Sequence, residues 1–172
     1  MGNRIFELPH GRGSLVFQRQ VLDHMYVHAQ RFFLDREAGG QLFSTTPHLS
    51  VVEIQLATGP YASDRRGRSS FEPDPKRAYQ DRLIQFDSGR HAVGLWHTHP
   101  EANPSPSSMD AETTHEYLRA CGGELHSFVL VILGNKGNPL NMAVWLAGAS
   151  ALRSWTKLPE VELSLLQHVD DA

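Results

Sequence analysis

The sequence predicts an α/β or α+β fold, strands interleaved with about three helices, and three observations carry that prediction. Over residues 50–58, Val52, Ile54 and Leu56 alternate with Val51, Glu53 and Gln55, the period of a strand. Residues 92–98, 127–133 and 141–146 are short apolar runs of strand length. Between these runs, apolar residues recur at helical spacing in three other stretches. With 172 residues, 40% of them hydrophobic, the chain has the length of one well-packed domain, expected to span 1–172. No internal repeat or low-complexity linker divides it.

Taken in order, Ile5-Phe6-Glu7-Leu8 and Leu15-Val16-Phe17 are strand candidates separated by the turn Gly11-Arg12-Gly13. Over residues 19–33, Val21, Leu22, Met25, Tyr26 and Ala29 predict a first helix. The pair Gly39-Gly40 is expected to stop regular structure, with Gln41-Leu42-Phe43 as a short strand after it. Residues 59–74, rich in Gly, Ser, Pro and Arg, read as a long loop. A second helix is expected over 75–87, with Tyr79, Leu83 and Phe86 on one face. Pro100, Pro104 and Pro106 keep the next segment out of helix and sheet. A third helix begins near Ser107 and ends at Cys121-Gly122-Gly123, glycine serving as its C-cap. The turn 134–139 joins the last two apolar strands, and the tail from Ser150 fits either a strand or a short helix.

Charge excludes one class of function. Nineteen acidic against 16 basic residues give a net charge of −3, unlike a strongly basic nucleic-acid binder. A single Cys forms neither an internal disulfide nor a thiolate zinc knuckle, and it excludes the C-x-x-C pair of the zinc deaminases. No Walker A, G-x-G-x-x-G or G-x-S-x-G motif occurs. The N-terminal residues lack an apolar run of signal-peptide length, and a cytoplasmic location is expected.

The chemistry concentrates between Gly94 and Asp110. His97 and His99 close an apolar strand two residues apart, so both imidazoles leave the same face. Two such histidines supply half of a tetrahedral zinc shell. A proline-stiffened loop then brings the chain to Asp110, whose carboxylate offers a third ligand and leaves the fourth position to water. The plainer reading makes Ser107-x-x-Asp110 a helix start, serine as N-cap and an acid in the first turn, and the two roles are compatible. A metal-activated water still needs a base that is not a ligand. Glu37, expected at the end of the first helical region and followed by Gly39-Gly40, is the candidate.

The set Glu37-Ala38-Gly39-Gly40, His97-Thr98-His99-Pro100, Ser107 and Asp110 resembles the JAMM/MPN (JAB-domain) metalloproteases. The stretch 64–74, with Arg65, Arg66, Arg68, Ser69, Ser70 and Phe71, is most similar to the small bacterial members encoded beside ubiquitin-like conjugation enzymes in antiphage operons. Among these are the partners of cyclic-oligonucleotide synthases. The resemblance implies an MPN/JAB fold, a curved mixed β-sheet flanked by helices. It also implies one Zn2+ on His97, His99 and Asp110, Glu37 as base, and Ser107 as oxyanion donor. Arg68, Ser69, Ser70 and Phe71 would then lie over the cleft against an extended substrate tail. The implied reaction is isopeptide cleavage after the C-terminus of a ubiquitin-like protein or a similarly conjugated target, made by operon-encoded E1/E2-like enzymes. Two alternatives stand beside it: C-terminal trimming of a ubiquitin-like or sulfur-carrier protein, and a non-catalytic MPN scaffold.

The remaining histidines carry less. His24 and His28 have the i, i+4 spacing of a zinc pair but no evident third ligand. His115 and Glu116 read as a solvated or packing face of the third helix, and His10, His48, His91, His126 and His168 show no pattern. Cys121 reads as a packing residue.

Overall fold

The computed structural model describes residues 2–120, 127–148 and 155–161. Its strands are β1 (Arg4–Glu7), β2 (Ser14–Phe17), β3 (Gly39–Ser44), β4 (Val51–Ile54), β5 (Leu56–Ala57), β6 (Arg65–Arg66), β7 (Phe71–Glu72), β8 (His91–Thr98), β9 (Ser127–Gly137), β10 (Leu140–Gly148), β11 (Trp155–Lys157) and β12 (Glu160–Val161). Three α-helices, α1 (Arg19–Tyr26), α2 (Pro75–Asp87) and α3 (Ser108–Ala120), lie between them, with a short 3₁₀ turn at Pro9–Gly11. The mixed α+β architecture is the predicted one, but its strands divide into more than one sheet. A mixed six-stranded sheet runs β11-β10-β9-β8-β3-β5, a four-stranded sheet runs β12-β1-β2-β4, and β6-β7 form a separate ribbon.

Burial on both sides of the large sheet explains its apolar runs. In β9, Val129, Val131 and Leu133 join the main core with Phe6, Phe17, Leu22, Met25 and Trp96. The alternate residues Phe128, Leu130 and Ile132 face a second cluster with Leu95 and Leu118, under α3. A strand covered on both faces has no polar side to display, so it reads as continuous rather than alternating. β8 lies inside this sheet, parallel to β9 and antiparallel to β3. Leu95 faces the α3 side, so the period of two sends His97 and His99 the same way.

Several expectations are corrected. The first helix ends at Tyr26, well short of residue 33. Beyond it, Gln30 is buried and its side-chain amide donates to the carbonyls of Asp35 and Arg68, bonds that a continuing helix would forgo. Phe32, Phe33 and Leu34 are exposed, so no core draws this stretch into a helix. Glu37 therefore sits in the loop entering β3, not at a helix end. Gly39 and Gly40 do not stop regular structure; they begin β3. The 50–58 run divides at Gln55, β4 pairing with β2 in one sheet and β5 with β3 in the other. The 59–74 loop contains the β6-β7 ribbon.

Helix α2 has the predicted bounds and a good start. Asp74 caps it by accepting from the amides of Lys76 and Arg77, and Pro75 occupies the first turn. Its packed face is the other one: Tyr79, Leu83 and Phe86 are exposed, while Ala78 and Asp81 are buried. Polar bonds dock it instead. Gln41 Nε2 donates to the Ala78 carbonyl, Arg82 donates to Gln41 Oε1, and Tyr61 donates to Asp81. Periodicity finds an apolar stripe, but these bonds decide which side meets the sheet. Among the described residues no helix is long and apolar enough to cross a membrane. Cys121, Gly122, Gly123, His126 and His168 lie outside the described residues; of the tail, 155–157 and 160–161 are strand.

Candidate metal centre

β8 and the start of α3 bring three potential ligands together. His97 Nε2 lies 3.0 Å from His99 Nε2 and 3.1 Å from Asp110 Oδ1, and His99 Nε2 lies 3.8 Å from Asp110 Oδ2. Four donors around zinc at the usual bond lengths stand about 3.3 Å apart, so these spacings suit a shared small cation. The donor chemistry fits as well. Two imidazole nitrogens and a carboxylate oxygen lie within 4.8 Å of one another, and a divalent cation replacing the protons shared among them would be satisfied by all three. Burial, with the neighbouring His97, lowers the His99 pKa and favours the neutral ring that a ligand must be. For Asp110, burial works against ionisation, but the hydrogen bond and charge of His97 and the bonds from Ser107 outweigh it and hold the pKa at about 2.

Ser107 fulfils the helix-start reading in detail. Its carbonyl accepts the first helical bond from Ala111, and its Oγ accepts from the Asp110 amide at 3.3 Å. In return the Ser107 amide and hydroxyl donate to Asp110 Oδ2 at 2.6 and 2.7 Å. The cap thus also orients a carboxylate of the cluster, an outer-shell bond of the kind that tunes metal ligands. Glu101, which sequence reasoning did not single out, turns Oε2 toward His99 Nδ1 at 3.9 Å.

Glu37 is buried and lines the same cavity as the three candidate ligands. Burial pushes its carboxyl up to about 7; the charge of His97 opposes this, and those of Asp110 and Glu101 add to it. A carboxyl near 7 is suited to exchanging protons at neutral pH. Its folded pKa exceeds the ordinary 4.5, so its contribution to folding is complete below about 4.5 and lost as pH rises through about 7. In chelator-treated protein the urea midpoint should therefore fall between pH 5 and pH 8 by less in Glu37→Gln than in the parent. The difference amounts to at most about 3 kcal/mol. Equal falls in the two proteins would contradict this account.

Position 37 is set by its neighbours. Ala38 donates to Thr98 Oγ1 at 3.0 Å, and Thr98 returns its amide to the Ala38 carbonyl at 2.8 Å. Thr98, fully buried between the two histidines, faces away from them and donates on to Gln30. Thr98 and Gln30 were missed from sequence; the one available signal was the alternation in His-Thr-His, which turns Thr98 to the opposite side. Gly39 pairs with His97 and Gly40 with Trp96, and both glycines lack room for a side chain. A Cβ on Gly40 would lie 1.7 Å from the Thr58 carbonyl oxygen, and one on Gly39 2.6 Å from both Phe71 and the Trp96 carbonyl oxygen. Glycine at both positions permits this close approach of neighbouring groups.

The cavity holds about 390 Å³ and runs from the ligand cluster beside β3 toward α2 and α3. Ser69, Ser70 and Phe71 line it, but Arg68 does not; its guanidinium stacks 3.6 Å from the centre of the Phe33 ring. Arg65 faces Glu72 across the ribbon at 3.4 Å. Among the described residues His24 and His28 gather no third ligand: both rings pack against Trp96, and His24 Nε2 meets the Gly59 carbonyl at 2.7 Å.

The chain is similar to known proteins. The family model described as prokaryotic homologs of the JAB domain matches residues 18–148. A Pseudomonas aeruginosa protein named CD-NTase/cGAS isopeptidase is 36% identical over 102 residues, which are 58% of this chain. The chain spans 64% of the length of that curated relative. In fold, the chain is similar to the solution structure of a Desulfitobacterium hafniense protein, with TM-score 0.59 and 16% identity over 85% of this chain and 88% of the other. A Salinibacter ruber protein gives 0.50 and 18% over 82% and 86%. With the Glu37, His97, His99, Ser107 and Asp110 constellation inside the matched residues, this chain belongs to the prokaryotic JAB-domain family.

Proposed function

We propose that this chain is a JAMM-type zinc isopeptidase, a single domain over 1–172, that cleaves after the C-terminus of a ubiquitin-like protein or a similarly conjugated target. The observation that carries the reading is one cavity holding two convergent imidazoles, a carboxylate and a separate buried acid. The isopeptidase name of the Pseudomonas relative supports the reaction type.

His97, His99 and Asp110 would hold zinc, which when bound supplies a Lewis acid and a water of lowered pKa. Glu37 takes a proton from the attacking water at its carboxylate and passes it to the leaving lysine nitrogen. The Ser107 hydroxyl, at the cavity edge, rotates from Asp110 toward the scissile carbonyl oxygen and donates to it as charge develops. Ser69, Ser70 and Phe71 flank the entering tail, with Arg68 beside them, and the short β6-β7 ribbon offers an edge for an extended peptide. Partners of this reading are the conjugated protein and operon-encoded E1/E2-like enzymes, in the cytoplasm, with a role in antiviral defence.

The test is cleavage of a ubiquitin-like conjugate from the neighbouring operon, before and after chelation. Chelated protein should lose cleavage and one equivalent of zinc should restore it. Undiminished cleavage by metal-free protein would overturn the proposal.

A further inference from the structure

Two hydrogen bonds tie the β6-β7 ribbon to Glu37, the candidate base, and a third ties it to the preceding residue, Arg36. Arg66 Nε donates to the Glu37 carbonyl at 2.6 Å, and its Nη2 donates to the Arg36 carbonyl at 3.3 Å. The Glu37 amide donates to the Gly67 carbonyl at 2.8 Å. Both backbone polar groups of Glu37 are thus engaged by two successive ribbon residues. The Gly67 amide donates to the Ser70 carbonyl at 2.8 Å, so the same residue also closes the ribbon's turn.

The next residue is anchored differently. Ala38 is bonded in both directions to Thr98, between His97 and His99 on the interior strand β8. Glu37 therefore stands between two anchors, one on the ligand strand and one on the ribbon. Of the nearby arginines, Arg65 meets Glu72 and Arg68 stacks on Phe33, while Arg66 alone reaches the backbone of Glu37. A guanidinium is matched to this task, because its planar fork spans two consecutive carbonyls and its charge strengthens both bonds.

We propose that Arg66 is a positioning residue, fixing the Glu37 backbone so that the carboxylate stays beside the His97, His99 and Asp110 cluster. The proposal rests on the reading of Glu37 as the base. It implies that the ribbon facing the substrate tail and the base move as one body, so seating of a tail on the ribbon is felt at Glu37.

The test combines amide hydrogen exchange with kinetics on zinc-loaded protein. In Arg66→Ala, exchange over residues 35–38 should rise at least about tenfold while β9 and β10 keep the parent protection. Cleavage of the conjugate should lose about 10- to 100-fold in kcat, the scale of a misplaced catalytic group, with KM within about twofold. Added guanidinium should restore part of the lost kcat, and Arg66→Lys, which keeps one donor to a carbonyl, should fall between Ala and the parent. Unchanged exchange at 35–38, or a rise in KM at constant kcat, would overturn the proposal. If Arg66→Ala does not fold, Arg66→Lys is read by the same two measurements. A parent protein that cleaves no conjugate refutes the isopeptidase reading, and the exchange result still decides whether Arg66 clamps Glu37.

Discussion

Glu37→Gln should abolish conjugate cleavage while leaving the metal in place. Glutamine keeps the size of the side chain and its burial but does not accept a proton from water. General-base catalysis contributes roughly 10²–10⁴-fold, and kcat should fall by that amount. KM should stay within about twofold, because the lost interaction is made in the transition state. Zinc content should remain one per chain, since the candidate ligands are His97, His99 and Asp110. A variant with parental kcat removes Glu37 from the mechanism. One that loses zinc along with activity makes residue 37 part of the shell instead.

The largest effect on stability is expected from Gly40→Ala. Its Cβ would lie 1.7 Å from the Thr58 carbonyl oxygen and 2.6 Å from the carbonyl carbon. The obstacle is backbone, so no rotamer change relieves it. Thr58 is also held from both sides: its amide donates to Gln41, and its carbonyl accepts from Trp96 Nε1 at 2.9 Å. Pushing it away breaks one of these bonds or displaces the buried indole. The cost should reach about 3 kcal/mol, the upper range of overpacking. For a domain of this size that is a fall in Tm of roughly 6–12 °C. Thermal unfolding followed by circular dichroism measures it directly, and a Tm within about 2 °C of the parent would refute the fit described at Gly40.

The grouping of His97, His99, Ser107 and Asp110 was legible in sequence because its geometry is local. His97 and His99 are two residues apart on a strand, and Ser107 and Asp110 three apart at a helix start, so spacing alone orients each pair. Glu37 was found by its company, and its place was misjudged because the helix expected to carry it ends eleven residues earlier, at Tyr26. What spacing missed are bonds between distant residues. Arg66 to Glu37, Thr98 to Ala38 and Gln30 to Arg68 each join a side chain to a backbone group 29 to 60 positions away. Any backbone amide or carbonyl serves as such a partner, so the partner's residue type leaves no mark in the sequence. The exposed face of α2 is a related case, since periodicity located Tyr79, Leu83 and Phe86 without saying which side the sheet would take.

The division of 51–57 between two sheets places the N-terminal strands mechanically in series with the cavity. β2 holds Val51–Ile54 in parallel register, Gln55 crosses over, and Leu56–Ala57 then pair with β3 just before Thr58 meets Gly40 and Trp96. A one-residue slip of β2 would drag β4 with it, and the displacement would arrive four residues later at the cavity wall. Substitutions around Leu15, which does not line the cavity, thus have a short lever onto the site.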